Sequence, residues 1–157
     1  MQLDSAERQI LTALQLNGRL SNVDLANQIG LSETPTLRRV KQLEEKQLIR
    51  GYAAIVDQRM LGLEVSAYVQ GSMKGQNDKT TQAFHESVRA EPHIIECHAM
   101  SGAYDYLMKV VARNIDHFSQ LCMQELLKFP GVAHIESSFS LLELKHSRVL
   151  PTQEDFS

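Results

Sequence analysis

At 157 residues, 43% of them hydrophobic and only eight glycines and four prolines, the chain has the composition of a globular protein of one domain or two small ones. No apolar run approaches the ~20 residues that span a bilayer, and the N-terminus lacks a basic-then-apolar signal pattern, so a cytoplasmic protein with no membrane partner is expected. The net charge of -3 excludes a uniformly basic nucleic-acid binder, yet residues 1–57 balance seven bases against seven acids, with most of the bases between Arg38 and Arg50.

Asp4 followed by Glu7 resembles a capping box, with Leu3 as the staple, and Ile10, Leu11 and Leu14 give the apolar stripe of a first helix that stops at Asn17-Gly18. Ser21 is a good N-cap for a second helix, with Asp24 in its first turn and Leu25, Ala26 and Ile29 on one face. Gly30 supplies the chain reversal, Leu31 is expected to plug the angle between helices, and Ser32 to cap a third helix that has Pro35 in its first turn. Leu37, Val40 and Leu43 form the expected buried stripe of that helix, which leaves Thr34, Thr36, Arg38, Arg39 and Lys41 to face outward. Helix, glycine turn, and a helix opening with hydroxyls and arginines make a helix-turn-helix, the third helix entering the major groove. The candidate DNA contacts are Ser21, Asn22, Ser32, Thr34, Pro35, Thr36, Arg38, Arg39 and Lys41. The hydroxyls suit phosphates or base edges, and the arginines suit guanine or backbone. The apolar, partly β-branched run from Leu48 to Val56 reads as a strand, either the wing of a winged helix or a linker strand. The boundaries follow: a DNA-binding domain over 1–50, a linker strand over 51–62, a second domain over 63–150 and a tail over 151–157.

From Leu63 the hydrophobic period changes. Leu63–Met73 alternates as a strand, 79–90 reads as a helix with Phe84 and Val88 inward, and Ile94–Met100 reads as a second strand. A tight turn at Ser101-Gly102-Ala103 leads into a third strand over 105–111. Asn114 caps a helix carrying Phe118, Leu121, Cys122, Leu126 and Phe129. Pro130-Gly131 turns the chain into a fourth strand within 132–144. The order β-α-β-β-α-β is the ferredoxin-like arrangement, so the fold class is α+β. A sheet with helices on one face leaves the other open. Tyr68, His98, Met108 and Phe139 are expected there, and an isologous dimer would cover them. The six histidines lack metal-ligand spacing, Cys97 and Cys122 fit reduced, partly buried thiols, and no phosphate loop or nucleophile elbow occurs. No metal, catalytic residue or cofactor is therefore expected.

A winged helix-turn-helix followed by one βαββαβ domain, with Ser101-Gly102-Ala103-Tyr104-Asp105-Tyr106 in its central hairpin, resembles the Lrp/AsnC family of leucine-responsive, or feast/famine, regulators. Further matching stretches are Leu3-Asp4, Gly18 to Val23, Gly30-Leu31-Ser32, Pro35, Arg39-Val40, Leu43-Glu44, Gly51-Tyr52, Glu96-Cys97-His98 and Ser101-Gly102. The resemblance implies a sequence-specific regulator bound to double-stranded DNA. It implies a homodimer that assembles further, commonly to an octamer, and an amino-acid effector held between dimers at the hairpin turn. Carried over by position, the effector site comprises Ser101, Gly102, Ala103, Tyr104 and Asp105, with a second wall near Ser137, Ser138 and Phe139. Turn amides and serine hydroxyls suit an α-carboxylate, and Asp105 suits an α-ammonium group. An apolar lining near Met100 and Phe139 favours Leu, Met or Cys as effector. Two other readings compete: an architectural DNA-bridging protein without a ligand, and an amino-acid-binding ferredoxin-like regulatory subunit whose N-terminal helices are an oligomerisation arm. The glycine turn and outward-facing Thr and Arg residues of 21–43 favour the regulator.

Overall fold

The computed structural model describes residues 3–75 and 77–152, which fall into two compact units. One is the chain up to Ile55 together with the segment from Leu144 onward; the other is Val56–Glu143.

The first unit holds three helices, α1 (Ser5–Leu16), α2 (Asn22–Ile29) and α3 (Glu33–Glu45). At the start of α1 the Asp4 carboxylate accepts from the Glu7 amide at 2.8 Å while the Glu7 carboxylate accepts from the Asp4 amide at 3.0 Å, a complete capping box. Ser21 caps α2 by accepting from the Asp24 amide. Gly30 ends that helix at φ 70, a left-handed conformation that costs glycine little. Ile10, Leu11, Ala13, Leu25, Val40 and Leu43 close the core between the helices. Leu150 and Thr152 dock on α1, where Arg8, Thr12 and Gln15 lie on one helical stripe. The Gln15 amide both accepts from the Leu150 N–H (2.6 Å) and donates to its carbonyl (3.1 Å), Arg8 donates to the Thr152 carbonyl (2.9 Å), and Thr12 bonds the Thr152 hydroxyl. The tail beyond Thr152 lies outside the described residues.

Three expectations for this unit need correction. Leu31 does not plug the helix angle but is 37% exposed. Ser32 stands at the N-cap position of α3 without a side-chain capping bond. No strand forms between Leu48 and Val56: a β ladder needs a neighbour, and among the described residues that stretch has no ladder partner.

The second unit is a four-stranded antiparallel sheet in the order β2-β3-β1-β4. Its strands are β1 (Val65–Met73), β2 (Ile94–Ala99), β3 (Tyr106–Ala112) and β4 (Val132–Phe139). Two helical segments cross between strands: α4 (Asp78–Ala90), and α5 (Ile115–Gln120) continued by a π-helical turn over Leu121–Glu125 and a 3₁₀ turn over Leu126–Lys128. With the helices on one face, the register assigns sides. Ala67, Val69, Met108, Val110 and Ala112 point at Phe118, Leu121, Cys122 and Leu126 and form the core. Met108, expected on the open face, is 1% exposed beneath the helices. Phe139 shares that side, its ring 5.0 Å from that of Phe118. Cross-strand parity decides both cases: Met108 pairs with buried Val69 and Phe139 with buried Ala67. The open face instead presents Tyr68, Gln70, His98, Leu107, Lys109, Glu136 and Ser138, a more polar set. Lys109 is nearly buried there, with the Glu143 carboxylate 3.8 Å away. β4, over Val132–Phe139, lies within the range expected from the sequence.

Candidate DNA interface and effector site

On α3 the buried residues are Thr36, Val40 and Leu43. At 100° per residue, Thr34, Arg38 and Lys41 fall within about 60° of one another on the opposite side. All three are exposed, as is Ser32 just before the helix. Helix α3 therefore turns a hydroxyl and two cations outward from a core-anchored inner stripe.

The other candidate DNA contacts are placed differently. Thr36 is fully buried, and its hydroxyl donates to the Ser32 carbonyl at 2.9 Å, so it meets no partner outside the unit. The wheel explains this: Thr36 shares the direction of Val40 and Leu43, whereas Leu37 sits about 90° from that stripe and is only half-buried. A threonine tolerates the inner position because the carbonyl four residues back satisfies its hydroxyl. Arg39 is half-buried and ion-paired with Asp4, which binds α3 to the start of α1. The Glu7 amide, and then Arg39, hold the Asp4 carboxyl below its ordinary value of 3.8. Pro35 and Asn22 are half-buried, and the exposed Ser21 is engaged with Asp24. Tyr52 closes the back of the unit by donating to Glu44 at 2.9 Å, and its hydroxyl is pushed up to about 12, first by burial and then by that carboxylate.

In the second unit the turn between β2 and β3 borders a half-open cavity of about 100 Å³. Met100 and residues 101–104 form one side of it, and Gln70, Tyr106 and Leu107 the other. Among the described residues, the backbone amides of Ser101, Gly102, Ala103 and Tyr104 donate to nothing in the chain. The turn depends on Gly102, whose φ of 147 few side-chain-bearing residues adopt. Its ends are fixed: Met100 donates to the Asp105 carbonyl at 2.8 Å, and the Asp105 amide donates to the Gly71 carbonyl at 3.0 Å. The Asp105 carboxylate accepts from the Met73 amide at 2.7 Å, and Asp105 is not among the residues around the cavity. It braces the turn against β1 where an ammonium acceptor was expected. Tyr104 donates to Glu136 at 2.8 Å, which raises the tyrosine's pKa above its ordinary value.

Ser137, Ser138 and Phe139 do not border this cavity. They pair with Val69, Tyr68 and Ala67, further along the sheet from the turn than Gly71. Phe139 and Ser137 belong to the helix-facing side, paired with buried Ala67 and Val69. The carry-over by position leaves out Gln70, Tyr106 and Leu107: the last two follow the turn directly in the chain, whereas only the cross-strand register brings Gln70 beside it. Among the described residues no cluster of His, Cys, Asp and Glu suits a metal ion, and no helix is long and apolar enough to cross a membrane.

Comparison with known proteins agrees with both halves of this geometry. Residues 3–50 match the model for winged helix-turn-helix DNA-binding domains, and residues 66–150 match that for Lrp/AsnC ligand-binding domains. The chain is 39% identical over 140 residues to the Bkd operon transcriptional regulator of Pseudomonas aeruginosa, covering 89% of this chain and 92% of that protein. It is 34% identical over 148 residues to the leucine-responsive regulatory protein of Escherichia coli K12, covering 94% and 90%. Among solved structures it is similar to a transcriptional regulator of Neisseria meningitidis in complex with L-Met. That likeness has TM-score 0.93 and 38% identity, over 97% of this chain and 98% of that one. An AsnC family regulator of Agrobacterium tumefaciens follows at TM-score 0.90 and 30% identity, over 95% and 97%.

Proposed function

The chain belongs to the Lrp/AsnC family of DNA-binding transcriptional regulators, and from that premise we propose that its effector is an amino acid with an apolar side chain, held at the 101–104 turn. The observation that carries this is the set of four unspent amides around Gly102 beside an apolar concavity. Unspent N–H groups on a turn suit a carboxylate, and Met100 and Leu107 suit an aliphatic or thioether chain. The Neisseria regulator, bound to L-Met, supports Met, with Leu and Cys as the other candidates.

A cavity of about 100 Å³ is well short of the ~300 Å³ of pockets that enclose a small molecule. A second copy of the chain supplies the missing wall in this reading, so the effector sits at a seam between subunits and biases their assembly. Exposed apolar side chains support homo-oligomers: Ile55 is 87% exposed in one unit, and Leu141 is 94% exposed in the other. A dimer that assembles further to an octamer is the proposed form. On DNA, Ser32, Thr34, Arg38 and Lys41 make the outer contacts of α3, with Ser21 and Asn22 at the start of α2 beside the backbone.

The test is a thermal-shift screen of the twenty amino acids against the wild type and Gly102→Ala, with hits titrated by calorimetry. Apolar amino acids should stabilise the wild type and lose affinity in the variant, whose alanine disfavours the turn's backbone angles. Equal binding by both proteins would remove the turn from the site.

A further inference from the structure

We propose that Glu136 is the anion that receives the effector's ammonium group. The inference rests on the effector reading of the turn and goes beyond it by completing the site. An amino acid is a zwitterion at neutral pH, and desolvating its ammonium group without a partner is costly. The cavity's immediate surround carries no charged side chain. Asp105, the nearest carboxylate in sequence, accepts from the Met73 amide and ties down the base of the turn.

The sheet supplies another carboxylate. On the face away from the helices, Leu107, Gln70 and Glu136 stand side by side across β3, β1 and β4. Neighbouring strands lie ~4.8 Å apart, so Glu136 is the next position in a row whose first two members border the cavity. Tyr104, itself part of the turn, reaches across that row and donates to Glu136 Oε2 at 2.8 Å. The residue that walls the cavity therefore also holds the carboxylate in place. Glu136 is exposed, and among the described residues its Oε1 makes no hydrogen bond. Unspent amides on the turn and, one strand beyond the cavity, a carboxylate held by the turn's own Tyr104 thus set donors and an acceptor near one another, a match for an α-amino acid and a poor one for a simple carboxylic acid. A ligand with an acidic side chain would meet Glu136 without a cation to offset it.

Calorimetric titration of wild type and Glu136→Gln with L-methionine tests this, beside 4-(methylthio)butanoate, the same molecule without its amino group. L-leucine and 4-methylpentanoate make a second pair. The variant keeps the size and the hydrogen bond to Tyr104 but not the charge. Loss of a charge-assisted bond should weaken the amino acid about tenfold or more in the variant, with the desamino acids unaffected. Equal amino-acid affinity in both proteins would overturn the assignment of Glu136 and leave the turn site standing. An equal loss for amino acid and desamino acid would also overturn it, by showing that the substitution disturbs the cavity as a whole. If the wild type takes up neither amino acid, the effector reading itself fails, and this inference with it.

Discussion

Replacing both Arg38 and Lys41 with alanine isolates the outer stripe of α3 from the helix that carries it. Both side chains are exposed and opposite the buried stripe, so the double variant should fold within about 0.5 kcal/mol of the wild type for each change. Each cation seated on a phosphate adds about 0.9 to the slope of log affinity against log salt. Two such residues in each subunit of a dimer put about 3.6 of slope at stake. Between about 50 and about 200 mM salt, the wild type should then lose about 150-fold more affinity than the variant. Fluorescence anisotropy with a labelled duplex selected from random sequence for binding to the wild type measures this directly. Arg39→Ala is the internal control, because its guanidinium is paired with Asp4. It should cost less than about 1 kcal/mol of stability and leave the salt slope alone. A double variant with the wild-type slope, or an Arg39→Ala that alone reproduces its loss, would refute the assignment of the outer stripe.

Thr36→Val should leave DNA affinity unchanged and shift stability by less than about 1 kcal/mol, since the buried hydroxyl bonds only the Ser32 carbonyl; gel shift and thermal melting check both. Gly131→Ala should destabilise by about 2–4 kcal/mol in urea titration, combining a left-handed backbone with overpacking. The backbone there has φ 80, and a Cβ would come 2.5 Å from Thr80 Cγ2 and 2.7 Å from Met73 Cε. Asp4→Ala should cost about 1 kcal/mol at neutral pH through the lost cap. Because folding lowers the Asp4 pKa from 3.8, its contribution is full above the ordinary carboxylate range and is lost as pH falls through the lowered value. Melting curves of wild type and Asp4→Ala should therefore converge as pH falls below that range, and a gap that persists in acid would argue against the pair.

The sequence was most legible where one residue type has one physical use. Gly30 at the helix reversal, the Asp4 and Glu7 capping box, and Asn114 accepting from the His117 amide at the start of α5 all follow from local chemistry. The order of strands and helices was legible for the same reason, since each period switch is local. Thr36 is illegible because polarity does not by itself mean exposure: a helix offers a hydroxyl an internal acceptor. Met108 and Phe139 were misplaced because a strand's two faces look alike until the register assigns them. The cavity depends on that same register, which sets Gln70 beside a turn some thirty residues away in sequence. Asp105 carries the right chemistry for an ammonium group, and only the hydrogen bond from the Met73 amide reveals its other employment. The docking of Leu150 and Thr152 on α1 leaves no periodic signal, because it runs through backbone groups.

The most direct test of the linkage between effector and DNA is one anisotropy titration of the 157-residue protein against the selected duplex, with and without saturating L-methionine. Coupled sites should show an affinity change of about fivefold or more, and the amino acid's own affinity should change by the same factor when DNA is present. An amino acid that binds tightly while leaving the DNA affinity untouched would contradict the account.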